Sequence, residues 1–99
     1  MSDGVEPTTA DASGPREAAF TPDFKRDEEF WRRSDPKVAA RLRRLVKETL
    51  REPFTGIGKP EALKENWQWF WSRRLTREHR LINRVEPKEV VFVSARFHY

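Results

Sequence analysis

Apolar positions follow two rhythms along this chain, a helical one in its first half and an alternating one in its second. Val38, Leu42, Leu45, Val46 and Leu50 recur at helical spacing and predict an amphipathic helix. Ser34-Asp35-Pro36 starts it, and Pro53 stops it. An earlier helix is predicted from Thr21-Pro22, with Thr21 as N-cap; Phe24 and Trp31 share one face of it and Phe30 lies close by. Phe20 stands at the end of a short first strand. From Trp67 onward the period falls to two: Trp67, Trp69 and Trp71 alternate, and Leu81, Asn83 and Val85 face opposite to Ile82. Thr76-Arg77-Glu78-His79 and Glu86-Pro87-Lys88 read as turns, residues 89–97 as the last strand, and Glu61 to Lys64 as a short helical turn. The expected fold class is α+β: two N-terminal helices packed on a small twisted antiparallel sheet.

Residues 1–19 have neither rhythm. They are rich in Ser, Thr, Gly, Pro, Ala and acids, and they predict a disordered acidic N-terminal extension ahead of a domain at 20–99. Charge divides the same way. The extension carries Asp3, Glu6, Asp11 and Glu17 against Arg16, leaving +7 of the chain's net +4 on residues 20–99. A small basic domain has an electrostatic reason to approach a polyanion. The chain has no cysteine, so neither a disulfide framework nor a thiolate metal site is available. His79 and His98 have no acidic ligands at metal-binding spacing, and no metal or other cofactor is expected. No apolar run is long enough for a membrane span and no signal peptide is evident, so a cytoplasmic protein is expected.

Three segments carry candidate chemistry. The turn-rich loop Phe54-Thr55-Gly56-Ile57-Gly58-Lys59-Pro60 leads to Glu61, flanked by the cations Lys59 and Lys64; its glycine spacing and Pro60 exclude a phosphate-binding P-loop. Trp71-Ser72-Arg73-Arg74-Leu75-Thr76-Arg77-Glu78-His79-Arg80-Leu81 supplies guanidinium groups, and the chain ends in Arg96-Phe97-His98-Tyr99. A carboxylate, guanidiniums and a histidine can cleave RNA with the substrate's own 2′-hydroxyl as nucleophile. On residue type alone each has a plainer reading: a surface ion pair for Glu61, a frayed end for His98, sheet-face solubility for the arginines.

The succession PF.G.GKPE.LK, WSRR.T.EHRL and a terminal R.HY, over about residues 20 to 99, resembles the YoeB toxins of bacterial toxin–antitoxin modules, within the wider RelE-like group. The resemblance implies the RelE-like microbial RNase fold and a metal-independent mRNA interferase that cuts translated message in the ribosomal A site. It implies Glu61 as general base, Arg80 as transition-state stabiliser, His98 as general acid and Tyr99 beside it. Lys59, Lys64, Arg73 and Arg74 become RNA contacts, Arg73 the weaker since strand neighbours face opposite ways; His79 takes a structural role in its turn. Implied partners are a cognate YefM/Phd-like antitoxin that folds over the site, operator DNA for the toxin–antitoxin complex, and a second copy in a homodimer. Ala62 stands where the family often has proline, Asn83 near a usual tyrosine, and Trp67 and Trp69 where residues are smaller, leaving core and RNA contact both open for those tryptophans. Other classes are a ParE-like gyrase inhibitor and a non-catalytic nucleic-acid-binding module, neither of which needs Glu61 or His98-Tyr99.

Overall fold

The computed structural model describes residues 16–63 and 69–97. The order is β1 (Glu17–Phe20), α1 (Pro22–Ser34), α2 (Pro36–Arg51), β2 (Glu61–Ala62), β3 (Phe70–Arg74), β4 (Arg80–Val85) and β5 (Glu89–Ser94). The strands form one five-stranded sheet in the order β1-β5-β4-β3-β2. Both helices begin as their sequence signals require. Thr21 Oγ1 accepts from the Phe24 amide at 3.0 Å, and Asp35 Oδ1 accepts from Lys37 and Val38 at 3.2 and 3.4 Å. Each cap is followed by proline at the first helical position. Asp35 also closes α1 through its amide to the Trp31 carbonyl at 2.8 Å, so a single residue reverses the chain.

The core lies between these helices and one sheet face. Phe24 and Trp31 of α1 and Ala39, Leu42 and Leu45 of α2 meet Leu75, Leu81, Val90, Phe92 and Ala95. Each large aliphatic or aromatic side chain buried here contributes about 1.5–3 kcal/mol. The stripe read from Val38 to Leu50 is correct in direction but centred slightly elsewhere. Ala39, Leu42, Leu45 and Thr49 are fully buried, while Val38, Val46 and Leu50 pack at its margin.

The sheet departs from an all-antiparallel one. β1 pairs in parallel with β5, with Phe20 opposite Phe92, making the sheet mixed. The strand opens at Glu17, so residues 17–19 belong to the domain and not to the extension; residues 1–15 lie outside the described residues. Glu61 and Ala62 form an edge strand against Ser72 and Trp71, where a helical turn was expected. The alternating tryptophans part ways. Trp67 lies outside the described residues, Trp69 is 58% exposed with a left-handed backbone at φ 75°, and Trp71 packs inward, its ring 5.1 Å from that of Phe54. The last strand ends at Ser94, three residues earlier than expected. Among the described residues no helix is long and apolar enough to cross a membrane.

A register shift near Ile82 and Asn83 sets the end of β5. Ile82 pairs with Ser94 and Asn83 with Phe92, which leaves Val93 as the extra residue of a bulge. Its carbonyl accepts from the Thr21 hydroxyl at 2.7 Å. Past the bulge the alternation is reset, so Ser94 shares the Ile82 face and Ala95 turns into the core beneath α1.

Candidate active site

The loop before β2 is built around a buried arginine. Arg73 Nη1 donates to the Ile57 carbonyl at 3.0 Å, and Nη2 donates to the carbonyls of Glu52 and Thr55 at 2.5 and 2.8 Å. The side chain is only 1% exposed, and burial lowers its pKa from the ordinary arginine value, with Glu48 partly opposing. The reading of Arg73 as an RNA contact is therefore corrected. It points to the helix side of the sheet, and its guanidinium is occupied by backbone. Gly58 brings the loop against β3: its carbonyl accepts from the Arg74 amide at 2.6 Å. At φ +83°, an added Cβ would meet Leu45 Cδ2 at 3.0 Å and Arg73 Cβ at 3.1 Å.

These contacts deliver Glu61 to the edge of the sheet, opposite Ser72. Ser72 pairs with Ile82, and two residues along β3 Arg74 pairs with Arg80. Cross-strand partners share a face, so Glu61, Arg74 and Arg80 lie on the face turned away from the helices. With strands ~4.8 Å apart and alternate residues ~6.7 Å apart, the Cα atoms of Glu61 and Arg80 stand roughly 12 Å from each other. Side chains of their length can close that span around a phosphodiester. Glu61, Lys59 and Arg74 are exposed, while Arg80 is half-buried. Arg80 Nη1 is shielded from solvent without a hydrogen-bond partner among the described residues, as is Ser94 Oγ on the same face.

The chain returns to Arg80 at its C-terminal end. The Arg80 amide donates to the Phe97 carbonyl at 2.9 Å, so the backbone lies against β4 one residue before His98. His98, Tyr99 and Lys64 lie outside the described residues. The segment leading to them is tied down from two sides. The Ala95 amide donates to Asp27 Oδ2 at 2.8 Å, and the Ala95 carbonyl accepts from Trp31 Nε1 at 2.9 Å. Phe97 donates its amide to His79 Nδ1 at 2.6 Å. The Arg96 guanidinium stacks 3.8 Å from the Phe30 ring centroid.

The family model for the YoeB-like toxins of bacterial type II toxin–antitoxin systems matches residues 20–99. This chain belongs to that family. A YoeB toxin of Mycobacterium bovis is 46% identical over 84 residues, spanning 85% of this chain and 99% of its own length. Among solved structures, the YoeB dimer of Staphylococcus aureus superposes with a TM-score of 0.78 at 32% identity, over 87% of this chain and 100% of its own. The toxin in the heterotetrameric YoeB–YefM toxin–antitoxin complex of that organism gives 0.75 at 32% identity over the same shares. The two-helix, five-strand arrangement of this chain thus superposes on the YoeB structures as a whole.

Three residues that brace the candidate site had no readable signal. Asp27 and Trp31 were visible only as helix residues, yet both hold Ala95. Arg41, a cation off the apolar stripe of α2, donates to the carbonyls of Leu75 and Arg74 at 2.9 Å each and braces the end of β3. His79 was read as a turn residue, and Thr76 Oγ1 does close that turn on the amides of Glu78 and His79. Its ring has a further partner in Phe97. Among the described residues no group of three or more His, Cys, Asp or Glu side chains could hold a metal ion.

Proposed function

We propose that this chain is a ribosome-dependent mRNA interferase that cleaves translated message by attack of the RNA's own 2′-hydroxyl. The observation that carries the reading is the Arg80 guanidinium, with a shielded Nη1 lacking a partner among the described residues, on one face with Glu61 and Arg74. A fixed, permanently charged donor in a partly dry setting is what a phosphorane-like transition state needs. Glu61 takes the 2′-OH proton as the 2′-oxygen bonds to phosphorus. Arg80 stabilises the added negative charge on the non-bridging oxygens. His98, as imidazolium, gives its proton to the departing 5′-oxygen as the P–O5′ bond breaks. The products are a 2′,3′-cyclic phosphate and a 5′-hydroxyl, with no metal or cofactor required. Tyr99 sits next to the acid in sequence and would contact the reacting nucleotide. Lys59, Lys64 and Arg74 would hold flanking phosphates at the ribosomal A site.

The expected partner is a cognate antitoxin of YefM type, as in the S. aureus complex, and a homodimer is expected as in the relative solved as one. The basic domain suits an antitoxin segment that covers the Glu61–Arg80 face, and the pair together would engage operator DNA. The place of action is the cytoplasm, where translated message is found. Primer extension on message translated in a purified system tests the activity. Cuts are expected only on ribosome-engaged mRNA, and they should vanish with His98→Ala or Glu61→Gln. Intact mRNA alongside folded wild-type protein would contradict it, and inhibition of DNA supercoiling by the same preparation would point instead to a gyrase inhibitor.

A further inference from the structure

Phe97 is the last described residue before the terminal His98-Tyr99, and its backbone is unusual. Its φ of 61° is left-handed, uncommon for a bulky side chain, and its ring is 61% exposed, so burial of that ring does not fix it. What fixes it is the pairing of both its backbone groups with consecutive residues, His79 of the turn and Arg80 at the start of β4. The carbonyl accepts from Arg80 N at 2.9 Å, and the amide donates to His79 Nδ1 at 2.6 Å. The first bond extends the β4–β5 ladder beyond Ser94. The second requires a side chain.

That side chain is itself held. The His79 ring meets Trp31 edge-on at 4.9 Å between centroids and packs on Phe97 at 5.3 Å. Its carbonyl accepts from Leu75 and Thr76, at 2.9 and 3.1 Å. Trp31 in turn donates to Ala95, two residues before Phe97. An imidazole that accepts at Nδ1 carries its proton on Nε2 and is neutral, because the imidazolium has no acceptor. The buried tryptophan therefore sets the ring, and the ring sets the Phe97 amide.

We infer that His79 is a positioning residue: through its Nδ1 bond it fixes the Phe97 backbone, from which His98 and Tyr99 follow in sequence, and so acts on the chemical step. The inference rests on the nuclease reading above. It differs from a plain turn role in one respect: it assigns His79 an effect on the chemical step and little effect on substrate binding or fold. A misplacement of about 1 Å can cost on the order of 10²-fold in rate.

The test compares two variants of the full-length protein in single-turnover cleavage of ribosome-bound message. His79→Phe keeps a ring against Trp31 but has no acceptor. His79→Asn keeps an acceptor where Nδ1 stood but loses the ring. The phenylalanine variant should lower kcat roughly 10–100-fold with KM within about twofold, and the asparagine variant should recover most of the loss. Wild-type rates in folded His79→Phe, or an asparagine variant no better than the phenylalanine one, would overturn the inference and leave the nuclease reading standing. Absence of cleavage by the wild type would remove that reading and the inference with it. A measurement free of variants guards against misfolding: ¹⁵N NMR of the wild type should show His79 Nδ1 unprotonated and coupled to the Phe97 amide. A protonated Nδ1 at neutral pH would overturn the assignment whatever the kinetics.

Discussion

The two ends of the proposed site are held by opposite means. The Glu61 end is fixed by a buried charge: Arg73 gathers three loop carbonyls, and Gly58 lets the loop press on β3. The C-terminal end is fixed by single hydrogen bonds and ring contacts from Asp27, Phe30, Trp31 and His79. A buried guanidinium that loses its partners, or carbonyls that lose their donor, carry the full desolvation cost. At the C-terminal end the His79–Phe97 bond is exposed and carries little of it, although Trp31 itself belongs to the core. Damage at the first end should therefore register as lost stability, and damage at the second as lost rate in a protein that still folds.

The largest effect should come from a residue that serves neither scaffold. Arg80→Ala removes the donor aimed at the phosphate and should lower cleavage about 10²–10³-fold with an unchanged melting temperature; a matching fall in Tm would blur the division. Arg73→Met should do the reverse. It strands the carbonyls of Glu52, Thr55 and Ile57 and should cost roughly 3 kcal/mol in denaturant unfolding. Full stability in that variant would break the comparison at its stronger side. Gly58→Ala forces a Cβ into Leu45 and Arg73 at a left-handed backbone, and should cost about 1–2 kcal/mol by the same measurement. Asn83 supplies the smallest effect. It is fully buried beside Phe92, and its amide has no partner among the described residues. Asn83→Val should raise stability by about 1 kcal/mol and leave cleavage alone, as read by thermal unfolding and primer extension together.

Much of this was legible before any coordinates. The helices were written in Thr21-Pro22, Asp35-Pro36 and the Leu42–Leu45 stripe, because caps and 3.6-residue periodicity are local. The family motif marked Glu61, Arg80 and His98, and the pairing of β2, β3 and β4 brings Glu61 and Arg80 to one face. What was not legible is non-local. The parallel pairing of β1 depends on β5, with Glu17 opposite Glu89 and Phe20 opposite Phe92, and Ala18 and Ala19 have no strand-like pattern of their own. Trp69 alternates like a strand residue but stands in the turn just before β3, where alternation says nothing about burial. Arg73 and Arg74 are chemically the same, and only the direction each faces separates a buried brace from an exposed cation. A bulge at Val93 reset that direction for Ser94 and Ala95, and no residue type announces a bulge.

The most direct test of the central claim is the chemistry of the cut ends, read by mass spectrometry on ribosome-bound message with a chelator present. Metal-independent attack by the 2′-hydroxyl is expected to give a 2′,3′-cyclic phosphate, or the 3′-phosphate from its opening, and a 5′-hydroxyl, at the rate seen without chelator. A 5′-phosphate end, or cleavage abolished by the chelator while the ribosome remains intact, would contradict the roles assigned to Glu61, Arg80 and His98.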